Sequence, residues 1–285
     1  MKKIYLALLL LASAIFADAQ PSLQWARNIG GSRGDEIKTD AAGNVYTVGY
    51  FSGSKDFDPG PGTFYLTADG GGADDAYVSK LDMNGNFLWA VRLGGDATNY
   101  NFSVEVDVAG NVYSVGYFSG TVDFDPGPGV FNLTTNGQYD ISISKLDAAG
   151  NFIWGKRIGG ALGEFAYAML IDQAGNLCIT GVFNGIVDFD PGPLVFNLDG
   201  NGNNECYILK LDADGNFIWA KEIDGFYAQG DDIAKDASGN LYVCGVYSQT
   251  VDLDPGAGVY NVTSSGSADA FVIKLDATGN FIWGR

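Results

Sequence analysis

Three regularities in the sequence predict an all-β chain, a β-propeller-type array of four blades, each a four-stranded antiparallel meander. Asp-x-x-Gly-Asn recurs at 40–44, 82–86, 107–111, 147–151, 172–176, 212–216, 236–240 and 276–280, alternately about 25 and about 40 residues apart. The tryptophans Trp25, Trp89, Trp154, Trp219 and Trp283 are all the tryptophans in the chain, spaced 64, 65, 65 and 64 residues apart. Asp-Phe-Asp-Pro-Gly stands at 56–60, 123–127 and 188–192, and Asp-Leu-Asp-Pro-Gly at 252–256. A fixed period of this length marks units that bury their apolar faces against each other.

Residues 1–19 read as a secretory signal. Lys2 and Lys3 are the basic start, Ile4 to Phe16 the apolar run, and Ala17-Asp18-Ala19 a small-x-small cleavage site. The run is too short to span a membrane stably. Cleavage after Ala19 leaves 14 basic and 33 acidic residues, a net charge of −19. The expected location is extracellular or on the cell surface. No composition shift divides 20–285, so it reads as one repeat domain. A lone outer strand at 23–31 precedes blades at about 32–95, 96–160, 161–225 and 226–285. In the first blade, strands are expected at about 36–40, 45–51, 76–81 and 87–93, with a short fifth near 64–67.

The Asp-x-x-Gly-Asn turns join the first strand to the second and the third to the fourth. Asp opens a type I turn, Gly takes the left-handed conformation, and Asn restarts the strand. The second strand, Val45-Tyr46-Thr47-Val48-Gly49-Tyr50, carries bulk on both faces and suits a strand covered on both sides. One meander cannot bury two faces alone. Stacked meanders can, with the Trp as a wedge between blades. An elongated β-solenoid is the alternative, but its rungs are usually shorter. The Trp strands read Trp89-Ala-Val-Arg-Leu-Gly-Gly, Trp154-Gly-Lys-Arg-Ile-Gly-Gly and Trp219-Ala-Lys-Glu-Ile-Asp-Gly. The chain supplies four blades, the last with its own fourth strand, which predicts an open or incomplete propeller and further blades of the same protein as one expected partner.

The chain has 285 residues, a formal charge of −18 and no histidine. It lacks the basic footprint of nucleic-acid binding. Without His, a Gly-x-Ser-x-Gly elbow or a phosphate loop, enzymatic readings are poor. Cys178, Cys206 and Cys244 are an odd, aperiodic set and make no disulfide framework.

Two groups of residues are candidate sites. Asp56 and Asp58, Asp123 and Asp125, Asp188 and Asp190, and Asp252 and Asp254 sit two apart, so each pair could converge on one side. No cofactor is expected other than a Ca²⁺ that these pairs could hold, though two carboxylates are few for an ion that takes six to eight oxygens. A stiff turn capped by Asp is the favoured reading. The loops between blades vary most and lie at the opposite end from the Asp-x-x-Gly-Asn turns. Their aromatics Tyr100, Phe165, Phe226 and Tyr227 could stack on a sugar or a peptide.

Asp-Ala-Ala-Gly-Asn-Val-Tyr-Thr-Val-Gly at 40–49, Asp-Ala-Tyr-Val-Ser-Lys-Leu-Asp at 75–82 and the Trp strand ending Gly94-Gly95 resemble the SBBP repeats of bacterial secreted β-propellers. The Asp-Phe-Asp-Pro-Gly insertion resembles a Bacteroidetes-type variant. The resemblance covers nearly all of 25–285 and implies seven blades, where this chain has four. Pyrroloquinoline-quinone-type propellers resemble Leu211–Trp219 but lack the long Asp-Pro-Gly connection. The expected function is a secreted scaffold or binding module for an extracellular glycan or protein, without catalysis. The alternative is the non-catalytic portion of an extracellular polysaccharide- or phosphate-processing enzyme.

Overall fold

The computed structural model describes residues 23–69 and 72–285; the expected signal segment lies outside them. All eight Asp-x-x-Gly-Asn segments between blade strands form the expected turn. In the first, Asp40 Oδ1 accepts the N–H groups of Ala42 and Asn44, both at 2.9 Å, and Gly43 has φ +80°. These turns set up four antiparallel meanders.

In the first blade Arg33–Thr39, Val45–Phe51, Asp75–Leu81 and Phe87–Gly95 pair in that order. In the second the strands are Asn99–Val106, Val112–Phe118, Asp140–Leu146 and Phe152–Ile158. The third has Phe165–Ile171, Leu177–Asp188, Asn197–Leu211 and the start of Phe217–Lys235. That last strand runs on into the fourth blade, where Leu241–Asp252, Asp269–Leu275 and Phe281–Gly284 follow. The first strands lie innermost and touch in sequence from blade one to blade four; among the described residues no comparable contact joins blade four to blade one. The fold is all-β and propeller-like, with an open ring.

The segment expected to hold a fifth strand is half of a hairpin. Tyr65–Thr67 pairs with Ser54–Asp56, and the other blades repeat it, as in Thr121–Asp123 with Asn132–Thr134. Each hairpin sends one aromatic or Leu inward (Phe57, Phe124, Phe189, Leu253), fully buried. The hairpins of blades two and four also pair with the blade before them: Gly94 and Gly95 pair with Asp123 and Val122, and Asp224 and Gly225 with Asp252 and Val251. In the first blade both positions need glycine. A methyl on Gly95 would lie 2.5 Å from the Thr121 carbonyl oxygen, and one on Gly94 2.2 Å from the Asp75 carboxyl carbon.

Blades are also tied in the forward direction. Lys80, Lys145 and Lys210 donate to the backbone carbonyls of Ala148, Ala213 and Ala277 in the next blade, at 3.2, 2.9 and 3.0 Å. Trp89 Nε1 donates to Ala148 O at 3.2 Å, and its ring lies over Gly150. Trp154 and Trp219 likewise lie against Gly215 and Gly279 of the next blade's turn, Trp154 without a partner for its buried Nε1, so these tryptophans are half-buried clamps on a neighbour's turn rather than wedges sunk in the core. The lone outer strand expected at 23–31 is not a strand. This segment docks through side chains, with Trp25 Nε1 donating to Met83 O at 3.0 Å and Arg27 Nε to Gly85 O at 2.9 Å, and no ladder forms.

Trp154→Ala is expected to cost about 2–3 kcal/mol in a urea melt, below the roughly 3–5 kcal/mol of a fully buried Trp, because the residue is half-buried. A loss under about 1 kcal/mol would show that the clamp does not hold blades two and three together.

Candidate functional site

The innermost strand of every blade carries one β-bulge, at Asp35, Phe102, Tyr167 and Asp231. A bulge adds an unpaired residue and re-aims its side chain. The cause lies in the next strand, at Gly49, Gly116, Gly181 and Gly245. A methyl at these positions would sit 1.8–1.9 Å from the carbonyl oxygen of Arg33, Tyr100, Phe165 or Gln229. Glycine lets the bulged backbone approach. A Gly inside a strand is a recognisable bulge signal, and it is the one that the sequence reading of Val45–Tyr50 did not use.

The bulges gather aromatic side chains at the end of the molecule that carries the inter-blade loops. Tyr50 meets Tyr100 at 4.2 Å, Tyr100 meets Tyr117 at 5.2 Å, and Tyr117 meets Phe165 at 4.6 Å and Tyr139 at 5.4 Å. Phe102 stacks on Tyr117 at 5.4 Å and meets Tyr167 at 6.0 Å. Seven half-buried rings from three blades thus form one platform. In blades one and four the corresponding positions are polar. Arg33 lies over Tyr50, donates to its hydroxyl at 2.8 Å and pairs with Asp35 at 2.9 Å. Gln229 accepts from Tyr227 at 3.0 Å and donates to Asp231 at 2.6 Å. Burial, with Tyr227 and Asp231 nearby, pushes the Tyr167 phenol up to about 12. The platform therefore has a charged rim on either side.

A relay fixes the platform from beneath. Glu36 Oε2 accepts from Ser103 Oγ at 2.6 Å and from Val104 N at 2.7 Å, and Ser103 Oγ in turn accepts Met169 N at 3.0 Å. One carboxylate thereby locks the first strands of blades one, two and three together.

Of the four expected ligand aromatics, Tyr100 and Phe165 are in the platform, Tyr227 is on its rim, and Phe226 is exposed and outside it. Tyr50, Phe102, Tyr117, Tyr139 and Tyr167 were not singled out from sequence. The paired aspartates serve as loop caps. Asp56 Oδ1 accepts the N–H groups of Asp58 (3.0 Å) and Phe64 (2.8 Å), and Asp58 Oδ1 accepts that of Gly60 (2.7 Å). Asp123 and Asp125, Asp188 and Asp190, and Asp252 and Asp254 repeat this pattern. Among the described residues no three His, Cys, Asp or Glu side chains are grouped to hold a metal.

The repeats are less uniform in buried acids than their sequences suggest. Glu164, beside Phe165, is fully buried, accepts Gly160 N at 2.8 Å, and is pushed by burial to about 7. Ser32, Asn99 and Ala228 fill the corresponding positions. Glu205 is a second such acid. Cys178 and Cys206 are buried free thiols and Cys244 is half-buried and free.

No family model matches the chain. A search of curated proteins finds an uncharacterized WD repeat-containing protein of Acanthamoeba polyphaga mimivirus, 25% identical over 201 residues. The match takes in 61% of this chain and 14% of that protein, so the chain spans a small part of its relative. Among solved structures, a Bacteroides caccae protein of unknown function aligns with 89% of this chain and 81% of its own, at 13% identity and a TM-score of 0.36. The relation is thus a distant one to a WD-repeat protein.

Proposed function

We propose that this chain is a secreted, non-catalytic binding module that holds a neutral extracellular glycan on its aromatic platform. The observation that carries the reading is the convergence of seven rings from three blades on one end of the scaffold. Pyranose faces stack on aromatic rings, while rim groups such as Arg33, Asp35, Gln229 and Asp231 can bond sugar hydroxyls. The charge of −18 disfavours anionic polymers at the same surface. The amino-terminal signal and the SBBP-like repeat support export and a place among bacterial secreted propellers. Some copies of the inter-blade loop are aromatic and others polar, which suits recognition better than a purely structural repeat.

The test is a glycan array probed with the purified chain. Tyr117 touches four other rings of the platform, so Tyr117→Ala is expected to weaken binding about five- to tenfold, at about 1–1.5 kcal/mol for lost ring stacking. Phe226→Ala, outside the platform, should change it little. No binding to any neutral glycan, or equal losses from the two variants, would refute the reading.

A further inference from the structure

The third blade departs from the repeat at one buried place. Asp75, Asp140, Glu205 and Asp269 occupy the same position in the third strand of their blades. Asp75 accepts Asp69 N at 3.0 Å and Arg92 Nη1 at 2.8 Å. Asp140 accepts Asn136 N at 2.8 Å and Arg157 Nη1 at 2.7 Å. Asp269 accepts Ser265 N at 2.8 Å. Glu205 is 0% exposed, and neither of its carboxylate oxygens has a partner in hydrogen-bond geometry; the Gly225 N–H and the Asp224 carboxylate lie nearby, but no arginine does.

Two changes remove its partners. The N–H of Asn201, in the return of the insertion hairpin, goes to Asp199 Oδ1 at 3.0 Å instead of to the strand acid. The register also pairs Tyr207 with Glu222, where Tyr77 pairs with Arg92 and Ser142 with Arg157. A carboxylate therefore stands at the guanidinium position. Asp224 follows at the position of Gly94 and Gly159, and both Asp224 and Asp199 are exposed. The cluster has a buried floor, Glu205, and an open acidic rim. A buried carboxylate without a partner costs several kcal/mol, and the repeat offsets that cost elsewhere with arginine.

We propose that Glu205, Glu222 and Asp224 form a binding site for the guanidinium of an arginine carried by a partner polypeptide, seated where Arg92 and Arg157 sit in the first two blades. The planar fork of a guanidinium bonds two carboxylates at once and spans more than the first shell of a metal ion. The carboxylates here are not grouped for a metal. Burial, then the charges of Asp224 and Glu222, push Glu205 to about 8, so in the free protein a proton stands in for the cation and is released when the cation arrives.

The full chain is titrated calorimetrically at pH 7 with N-acetyl-L-argininamide, N-acetyl-L-lysinamide and CaCl₂, at matched ionic strength and in two buffers of different ionisation heat. Expected are saturable, millimolar binding of the arginine compound, at least about fivefold tighter than the lysine compound, and proton release on binding. Glu222→Arg supplies the guanidinium from within and should abolish binding while raising the melting temperature. Glu205→Gln should weaken binding about fivefold or more and remove the proton release. Absent binding, equal binding of lysine, or affinity unchanged in both variants overturns the proposal. So does a Ca²⁺ response that both variants abolish when the arginine compound gives none.

Discussion

Gly116→Ala is expected to lower stability by about 3–5 kcal/mol, the largest loss of any single methyl added to this fold. The added Cβ would lie 1.8 Å from the carbonyl oxygen of Tyr100 and 2.7 Å from its carbonyl carbon. Both are backbone atoms, so no side chain can turn aside. Relief requires the strand to give up its bulge at Phe102, which would pull Tyr100 and Phe102 out of the platform. Binding and stability should therefore fall together. The control is Gly175→Ala. That glycine has φ +86° and open space around it, so the added methyl costs only the left-handed conformation, about 1–2 kcal/mol. Urea melts of the two variants decide the matter: equal losses would show that the bulge yields easily.

Stability is expected to peak near pH 4–5 and to fall toward alkaline pH, which is unusual for so acidic a protein. Glu205 and Glu164 have pKa values raised from 4.5 to about 8 and about 7, chiefly by burial. Below 4.5 the folded and unfolded chains both hold these protons, so the favourable balance is complete. As pH rises, the unfolded chain releases them first while the folded chain still binds them, so unfolding gains until the folded pKa values are passed. At about 1.4 kcal/mol per unit, and allowing for solvent at the rim, Glu205 accounts for roughly 2–3 kcal/mol lost between pH 4.5 and 8.

The acid limb has the opposite sign. Burial pushes Asp172 up, but hydrogen bonds from Lys210 and Asn176 outweigh it and bring it to about 2. The backbone N–H of Asn280 holds Asp276 below the usual carboxylate range, and the Asn240 side chain does the same for Asp236. Their contribution is present above pH 3.8 and is lost as pH falls through the depressed values. Glu205→Gln should flatten the alkaline limb and leave the acid limb as it was. A wild-type chain no less stable at pH 8 than at pH 5 would show that Glu205 is not held protonated.

The turns and the blade period were legible because their chemistry is local. Asp40, Gly43 and Asn44 fold one another within five residues, and the same turn recurs at all eight places where the motif joins two blade strands. The platform was half legible. Tyr100 and Phe165 stand out as loop aromatics, whereas Phe102 and Tyr167 are bulge residues. A bulge shifts the two-residue alternation, so counting along the strand assigns such side chains to the wrong face. The Glu205–Glu222 substitution is plain in the letters Lys-Glu-Ile-Asp, yet it acquires meaning only when the register sets residue 222 beside residue 207. The segment at 23–31 shares the Trp-strand pattern but forms no strand, because its contacts with the first blade run through Trp25, Arg27 and Gly30 rather than through a ladder.

The docking of the second blade's insertion hairpin on Gly94 and Gly95 of the first, repeated by the fourth blade on Asp224 and Gly225 of the third, bears on the order of folding. Gly94 and Gly95 are in place before residues 121–123 exist to pair with them. A nascent chain emerging amino terminus first thus offers the second and fourth meanders a finished template, and Lys80 and Trp89 wait for a turn made some sixty residues later. Assembly by accretion, one blade at a time, keeps the distance between pairing segments short for so large a β-protein. That lowers the kinetic barrier and limits the time that unpaired strand edges are exposed.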